Sequence, residues 1–308
     1  MSGSEGIAFL TGLVRARAGI VLTPDRTYLL KTRLAPLLAR TGLGSLDALA
    51  ARIRCGGPGA EPLAREVVEA LTTNESFFFR DGKPFEHLRR LLPRLAAARP
   101  AGQPLRIWSA ACSTGQEAYS VAMLAADPAT WAGYSSGNGT PPRLEILGTD
   151  ISREVLARAR EGLYTRFEVQ RGLPVQLLVR YFRPEGSDGS RWRIAPELRA
   201  MVRFEMFNLL DDPRPLGRFD VILCRNVLIY FDAPTKTAVL NALAGQLAPD
   251  GVLYLGGAET VLGLTDRLQP LPCERTAYVL APTSAATEPG AITIGPAAAA
   301  LPGAARAA

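Results

Sequence analysis

Two carboxylates, Glu117 and Asp150, stand at comparable places after two successive apolar runs. The first run, "LRIWSA", passes through a turn of small residues, Ser109 to Gly115, into a helical pattern that opens with Glu117. Small side chains there let a ligand approach the main chain, and Gly115 is free to take a positive φ. The second run, "RLEILGTD", ends on Asp150, where a carboxylate can accept both hydroxyls of a ribose. Two later runs end in "FNLL", residues 207–210, and "CRNVLIYF", residues 224–231. They bring Asn208, suited to an adenine edge, and Arg225, Asn226 and Tyr230 to the same kind of position. An acid after the first strand and another after the second favour a nucleoside cofactor with a cationic or amino end. Each residue also has a plainer reading. Glu117 suits the first turn of any helix, Asp150 or Ser152 can cap the next one, and Asn208 is a common turn residue. The turn has no G-x-G-x-x-G, which counts against a dinucleotide.

A second unusual stretch is "TTNESFFFRD", residues 72–81, with three phenylalanines beside Asn74, Ser76 and Arg80. It reads either as a packed hinge, with the aromatics buried, or as a lid that holds Asn74, Ser76 and Arg80 over the cofactor.

Other chemistries find little support. Cys55, Cys112, Cys224 and Cys273 are scattered without a C-x-x-C pair, and the single histidine, His87, lies in the helix-like "PFEHLRRLL". Neither a Cys/His zinc site nor a Ser-His or Cys-His nucleophile is expected, and no metal is. No apolar run approaches the roughly 20 residues that span a bilayer. The start, "MSGSEGIAFL", lacks the basic segment of a secretory signal. A soluble cytoplasmic protein without membrane insertion is expected. The net charge of +6 gathers in Arg15, Arg17, Arg26, Lys31, Arg33, Arg40, Arg52 and Arg54, and again between Arg153 and Arg199. These are either solvated faces or a docking surface for an acidic protein. With no basic run interleaved with aromatics, nucleic acid is not the expected partner.

The elements that must position these groups fall into two patterns. Residues 5 to about 70 read as helices. Leu29, Leu30, Leu34, Leu37 and Leu38 share one face, and Ser45 suits the N-cap of "LDALAARIR". An all-helical N-terminal domain with its linker is expected over 1–82. From about 100 onward, short apolar strands alternate with helices, implying a mostly parallel sheet with helices on both faces. Such open sheets bind ligands beyond the carboxyl ends of their strands, where strand order reverses. This α/β domain is expected over 83–282. A small antiparallel β-subdomain is expected as an insertion over about 164–203, with "VQLLVRYF" helical and "SRWRI" one arm of a hairpin after "EGSDGS". The Ala/Pro/Gly-rich stretch 283–308 reads as a disordered tail.

Taken together, "TTNESFFFRD", "IWSAACSTGQEAYSVAM", "GTDISREVL", "NLL" and "CRNVLIYFD" resemble the CheR-type chemotaxis-receptor glutamate O-methyltransferases, from roughly residue 5 to 281. The resemblance implies a Rossmann-like S-adenosylmethionine-dependent methyltransferase fold. It also implies methyl transfer to glutamates on the cytoplasmic helical domain of chemoreceptors, with S-adenosylhomocysteine as product, and a monomer. Residue by residue, it puts Asn74, Ser76 (a threonine in most members) and Arg80 on the cofactor from the linker side. Glu117 would take the methionine end and Asp150 the ribose. Asn208 and Leu209 would meet the adenine side, with Arg225 and Asn226 nearby. Arg80 and Tyr230 would handle the substrate glutamate. One departure is "GGAE", residues 256–259, where many members carry Gly-His-Ser-Glu. A non-catalytic S-adenosylmethionine-binding regulatory module is the alternative, and intact Arg80, Glu117, Asp150 and Tyr230 argue against it. A nucleic-acid methyltransferase would be expected to carry an Asn/Asp-Pro-Pro-Tyr run, and none is present.

Overall fold

The computed structural model describes residues 3–282 apart from 24–26, 101, 135–140, 187–188 and 273. The stretch 283–308, read above as a tail, lies outside the described residues, as do two residues of the "EGSDGS" turn.

Four helices come first: α1 (Gly3–Ala18), α2 (Tyr28–Thr41), α3 (Leu46–Arg54) and α4 (Ala60–Leu71). On α2, Leu30, Leu34 and Leu37 are buried at helical spacing, while Leu29 and Leu38 are half-buried at the edges of that face. Ser45 Oγ accepts the Ala48 N–H at 3.1 Å and so starts α3. Gly42 ends α2 in the left-handed conformation, φ 69°.

The alternating region follows as α5 (Lys83–Ala97), β1 (Leu105–Ala110), α6 (Gln116–Ala126), β2 (Leu144–Asp150) and α7 (Arg153–Glu161). Next come β3 (Leu163–Thr165), α8 (Arg166–Gln170), α9 (Val175–Tyr181), β4 (Phe182–Glu185), β5 (Arg191–Ile194) and α10 (Pro196–Ala200). The chain continues through β6 (Val202–Met206), β7 (Phe219–Cys224), α11 (Ala233–Gln246), β8 (Leu247–Leu255), β9 (Leu268–Pro270) and β10 (Ala277–Leu280). The main sheet runs β6-β2-β1-β7-β8-β10-β9. Its first five strands are parallel, and β10 pairs antiparallel with both β8 and β9. Because β1 pairs with β2 on one side and β7 on the other, strand order reverses at its carboxyl end. Helices cover both faces, so β7 is buried at every residue rather than alternating.

A three-stranded antiparallel sheet, β3-β5-β4, forms the insertion. The main sheet takes its edge strand β6 from Val202, inside the range read as insertion, because Val202 and Phe204 bury their side chains alongside β2. Two apolar clusters flank the main sheet. One joins α5, α6 and the subdomain. The other runs from Leu10, Val14 and Leu34 of the helical region through Trp108 and Leu147 to Leu240 and Leu243 of α11. The first helices therefore share a core with the sheet.

Much of the basic N-terminal segment is committed internally. Arg15 pairs with Asp232, Arg17 with Glu61, Arg40 with Glu66 and Arg54 with Glu5. Arg33 donates to the carbonyls of Leu71 and Thr72 at 3.1 and 2.7 Å, closing the end of α4. Lys31 remains exposed. Among the described residues, no helix is long and apolar enough to cross a membrane.

Candidate functional site

At the reversal point, β1 runs into a loop that departs from ordinary backbone. Ala111 and Ser113 hold positive φ, 59° and 51°, and Gly115 follows at 90°. A Cβ on Gly115 would lie 3.0 Å from the Phe204 ring and from Ala159 Cβ, so both conformation and space favour glycine there. The loop is held by the Cys112 N–H on Thr149 C=O at 2.8 Å and the Ser113 N–H on Asp150 Oδ2 at 2.9 Å. Cys112 is buried, and desolvation holds its thiol well above its usual range, so it fills the turn and is no nucleophile. The non-glycine residues with positive φ among those described are Phe79, Asp81, Ala111, Ser113 and Asn226. All lie in the linker or at the ends of β1 and β7, the pattern of strain gathered at a functional site.

Glu117 opens α6 just beyond this loop. Ser109 Oγ donates to its Oε1 at 2.7 Å, and Arg225 Nη1 donates to its Oε2 at 2.9 Å. The Arg225 side chain is only 2 % exposed. Its other terminal nitrogen donates to Asp81 Oδ2 at 2.6 Å and to the Arg80 carbonyl at 2.8 Å. Arg225 lines the cleft and also commits its guanidinium to Glu117 and the linker, because β7 lies beside the strand that leads to Glu117. Asn226, next along, has φ 61°, and its Oδ1 is buried with no hydrogen-bond partner among the described residues.

Asp150 ends β2. Its Oδ2 accepts from Ser113 N–H and its Oδ1 from Ser152 N–H at 3.0 Å, so it helps start α7 as well as holding the loop. Each oxygen retains lone-pair capacity. Burial pushes its pKa up, and the main-chain donors from Ser152, Ser113 and Ile151 pull against that shift. Asn208 behaves as a turn residue and a tether. Its Oδ1 accepts from Leu210 N–H at 3.1 Å, and its Nδ2 donates to the Arg17 carbonyl at 2.6 Å. Ala18 and Ile20 thereby join Leu209 and Phe207 in the cleft wall. Val21 N–H donates to the Tyr230 carbonyl at 2.8 Å, and Ile20 bridges Phe231, so the segment after α1 closes this side.

The linker is a hinge and a wall at once. Phe78 is fully buried, edge-on to Tyr164 and Phe182 at 5.1 and 5.5 Å. Phe79 packs on Phe85, while Phe77 lies beneath both Arg171 and Arg80. Arg80 also donates to the Glu75 carbonyl at 2.8 Å. Ser113 Oγ donates to the Asn74 carbonyl at 2.8 Å, joining linker and loop.

The result is a cleft of about 890 Å³, open solvent at its mouth included. Asn74, Ser76, Arg80, Glu117 and Asp150 line it, as do Asn208, Leu209, Arg225, Asn226 and Tyr230. The sequence reading missed Ala18 and Ile20, which are far away in the chain, and gave Ser109 and Ser113 no role beyond small size. His87 is not among the lining residues; its Nδ1 is 2.6 Å from the Tyr254 hydroxyl, and burial lowers its pKa. Gly257, at the position of the family's histidine, is exposed, and a Cβ there would meet nothing within 4 Å. No group of acidic, histidine or cysteine side chains suited to a metal ion occurs among the described residues.

The donor set fits a nucleoside with a cationic amino-acid end. Asp150 offers unsaturated acceptors, Glu117 a buried carboxylate, and Asn226 an orphaned acceptor, with apolar wall at Ile20, Ile151, Phe207 and Leu209. Comparison with known proteins agrees. Residues 5–72 match the family model described as CheR methyltransferase, all-alpha domain, and residues 74–277 the one described as CheR methyltransferase, SAM binding domain. "Chemotaxis protein methyltransferase 1" of Pseudomonas aeruginosa is 42% identical over 257 residues, 83% of this chain and 90% of that protein. "Chemotaxis protein methyltransferase Cher2" of Pseudomonas putida is 40% identical over 258 residues, with the same two coverages of 83% and 90%. The chemotaxis protein methyltransferase of Salmonella typhimurium is 36% identical over 254 residues, 82% of each chain. The cofactor is S-adenosylmethionine, the enzyme is a methyltransferase, and the chain belongs to the CheR methyltransferase family.

Proposed function

We propose that this enzyme methylates glutamate side chains on the cytoplasmic helical domain of a chemoreceptor, leaving glutamyl methyl esters and S-adenosylhomocysteine. The observation that carries this reading is a cleft that presents Arg80 while its carboxylates are engaged. Among the described residues, Glu117 is paired with Arg225 and Glu75 with Arg171, Asp150 accepts two main-chain N–H groups, and His87 lies outside the lining against Tyr254. An amine or hydroxyl acceptor needs a proton removed. A glutamate, with an ordinary pKa of about 4.3, is already ionised near neutral pH.

When bound, the cofactor supplies an electrophilic methyl group on a sulfonium sulfur. The chain's own residues bind and orient. Asp150 accepts the ribose hydroxyls, and Glu117 and Asn226 accept from the amino end. Ile20, Phe207 and Leu209 cover the adenine, with Asn208 holding that wall together. Arg80 donates a charge-assisted hydrogen bond to one substrate carboxylate oxygen while the other attacks. Tyr230 orients the same group, and both serve in-line placement at about 3–3.5 Å. Asn74 and Ser76 complete the linker wall. The helical unit with its linker, 1–82, meets the receptor. The unit 83–282 carries most of the site, the linker adds Asn74, Ser76 and Arg80 to it, and the protein acts as a cytoplasmic monomer.

The test is transfer of tritiated methyl to membranes carrying the organism's own receptors, followed by peptide mapping of the modified residues. Label on receptor glutamates is expected. Label confined to lysine, or to nucleic acid, would overturn the reading. Arg80→Ala should lose most transfer yet keep cofactor affinity within about tenfold, since its proposed bond forms with the substrate. Near-wild-type turnover would remove Arg80 from that role.

A further inference from the structure

Glu259 is not among the residues that line the cleft, yet its carboxylate ties together two of the strand ends that build it. Its Oε2 accepts the Gly256 N–H at 2.6 Å, at the end of β8, and the Asn226 N–H at 2.9 Å, at the end of β7. Its Oε1 accepts the Ile229 N–H at 3.3 Å, inside the short 3-10 turn Leu228–Tyr230. Gly256 leaves the passage for this carboxylate. A Cβ there would stand 2.7 Å from Glu259 Oε2, 2.7 Å from Asn226 Nδ2 and 2.8 Å from Asn226 N.

Each arm has a distinct effect. The bond to Asn226 N–H falls on a residue held at φ 61°, in the left-handed region, and helps hold it there. That residue carries the buried, unpartnered Oδ1 beside the cleft. The bond to Ile229 N–H holds the turn that places Tyr230 at the mouth.

We infer that Glu259 is a positioning residue for methyl transfer: one arm of its carboxylate fixes Asn226 for the cofactor and the other fixes the Tyr230 turn for the substrate. This rests on the proposed roles of Asn226 and Tyr230.

Glu259→Gln separates the arms. An amide keeps an oxygen on Gly256 and Asn226 but turns its NH2 toward Ile229 N–H, so only the Tyr230 arm is lost. Glu259→Ala removes both. Each variant is assayed for S-adenosylhomocysteine affinity by calorimetry, for kcat and KM with receptor membranes, and for thermal stability. Glu259→Gln should bind the product within about twofold of wild type while kcat falls about tenfold, roughly one hydrogen bond to a charged group. Glu259→Ala should show that fall in kcat and bind the product about tenfold more weakly as well. Wild-type kcat in Glu259→Gln, or activity lost only in proportion to unfolded protein, would overturn the proposal. So would wild-type product affinity in Glu259→Ala. Should Glu259→Ala not fold, the isosteric glutamine variant still decides through its split of kcat from affinity. Should wild-type enzyme label no receptor glutamate, the functional reading fails, and the calorimetric comparison of the two variants still decides the Asn226 arm.

Discussion

Asp150 carries a pH signature that distinguishes ligand binding from helix capping. Burial raises its pKa above the ordinary 3.8, despite main-chain donors. Ribose hydroxyls would donate to the ionised form, so binding must lower that pKa and release protons near it. Cofactor affinity is therefore expected to climb as pH rises through the raised pKa and to level off above it. Asp150→Asn should abolish that rise and weaken binding by about 1.5–3 kcal/mol, the value of a hydrogen bond to a charged group. Titration of S-adenosylhomocysteine across pH reads both, and an identical slope in the variant would refute the ribose assignment. Arg225 should behave differently. Removing it strands Glu117, so Arg225→Met is expected to cost about 3–5 kcal/mol of folding stability in chemical denaturation. A loss below 1 kcal/mol would show that water replaces the guanidinium.

The linker shows what sequence periodicity reveals and what it hides. The helices and parallel strands were legible because their apolar spacings, such as Leu30, Leu34 and Leu37 or the run "FDVILC", follow directly from which face is buried. Asp150 and Glu117 were legible as strand-end acids because the open parallel sheet puts strand ends at one edge. The double character of residues 72–81 was not, since the partners of Phe78 come from Tyr164 and Phe182, far along the chain. Nor was the pairing of Arg225 with Glu117, separated by 108 residues, which depends on β7 lying next to β1. A substitution tests this packing from the subdomain side. Gly172 has φ 79°, and a Cβ would stand 2.1 Å from the Phe78 carbonyl. Gly172→Ala should destabilise by about 1–3 kcal/mol through overpacking, and cofactor affinity should fall with the displaced linker. Unchanged thermal stability together with unchanged affinity would mean the linker yields freely.

At the scale of the molecule, charge and architecture separate once the partners of each arginine are known. Arg33 holds the end of α4, whereas Lys31 on the same helix is exposed. Arg33→Ala should lower stability by about 1–3 kcal/mol, leaving carbonyls to water. Lys31→Glu should leave stability within about 0.5 kcal/mol and raise KM for an acidic receptor at low salt, an effect that shrinks as salt rises. An unchanged KM at low salt would move the docking face elsewhere.

The hydrogen bond from Val21 N–H to the Tyr230 carbonyl carries one more consequence. It makes the segment after α1 and the mouth of the cleft parts of one equilibrium. If a receptor engaging the helical unit shifts that segment, it shifts affinity for the cofactor by some factor, and thermodynamic reciprocity requires the cofactor to shift affinity for the receptor by the same factor. Product and cofactor differ by one methyl and one positive charge, so with that coupling any difference in their hold on the cleft would become a difference in the hold on a receptor.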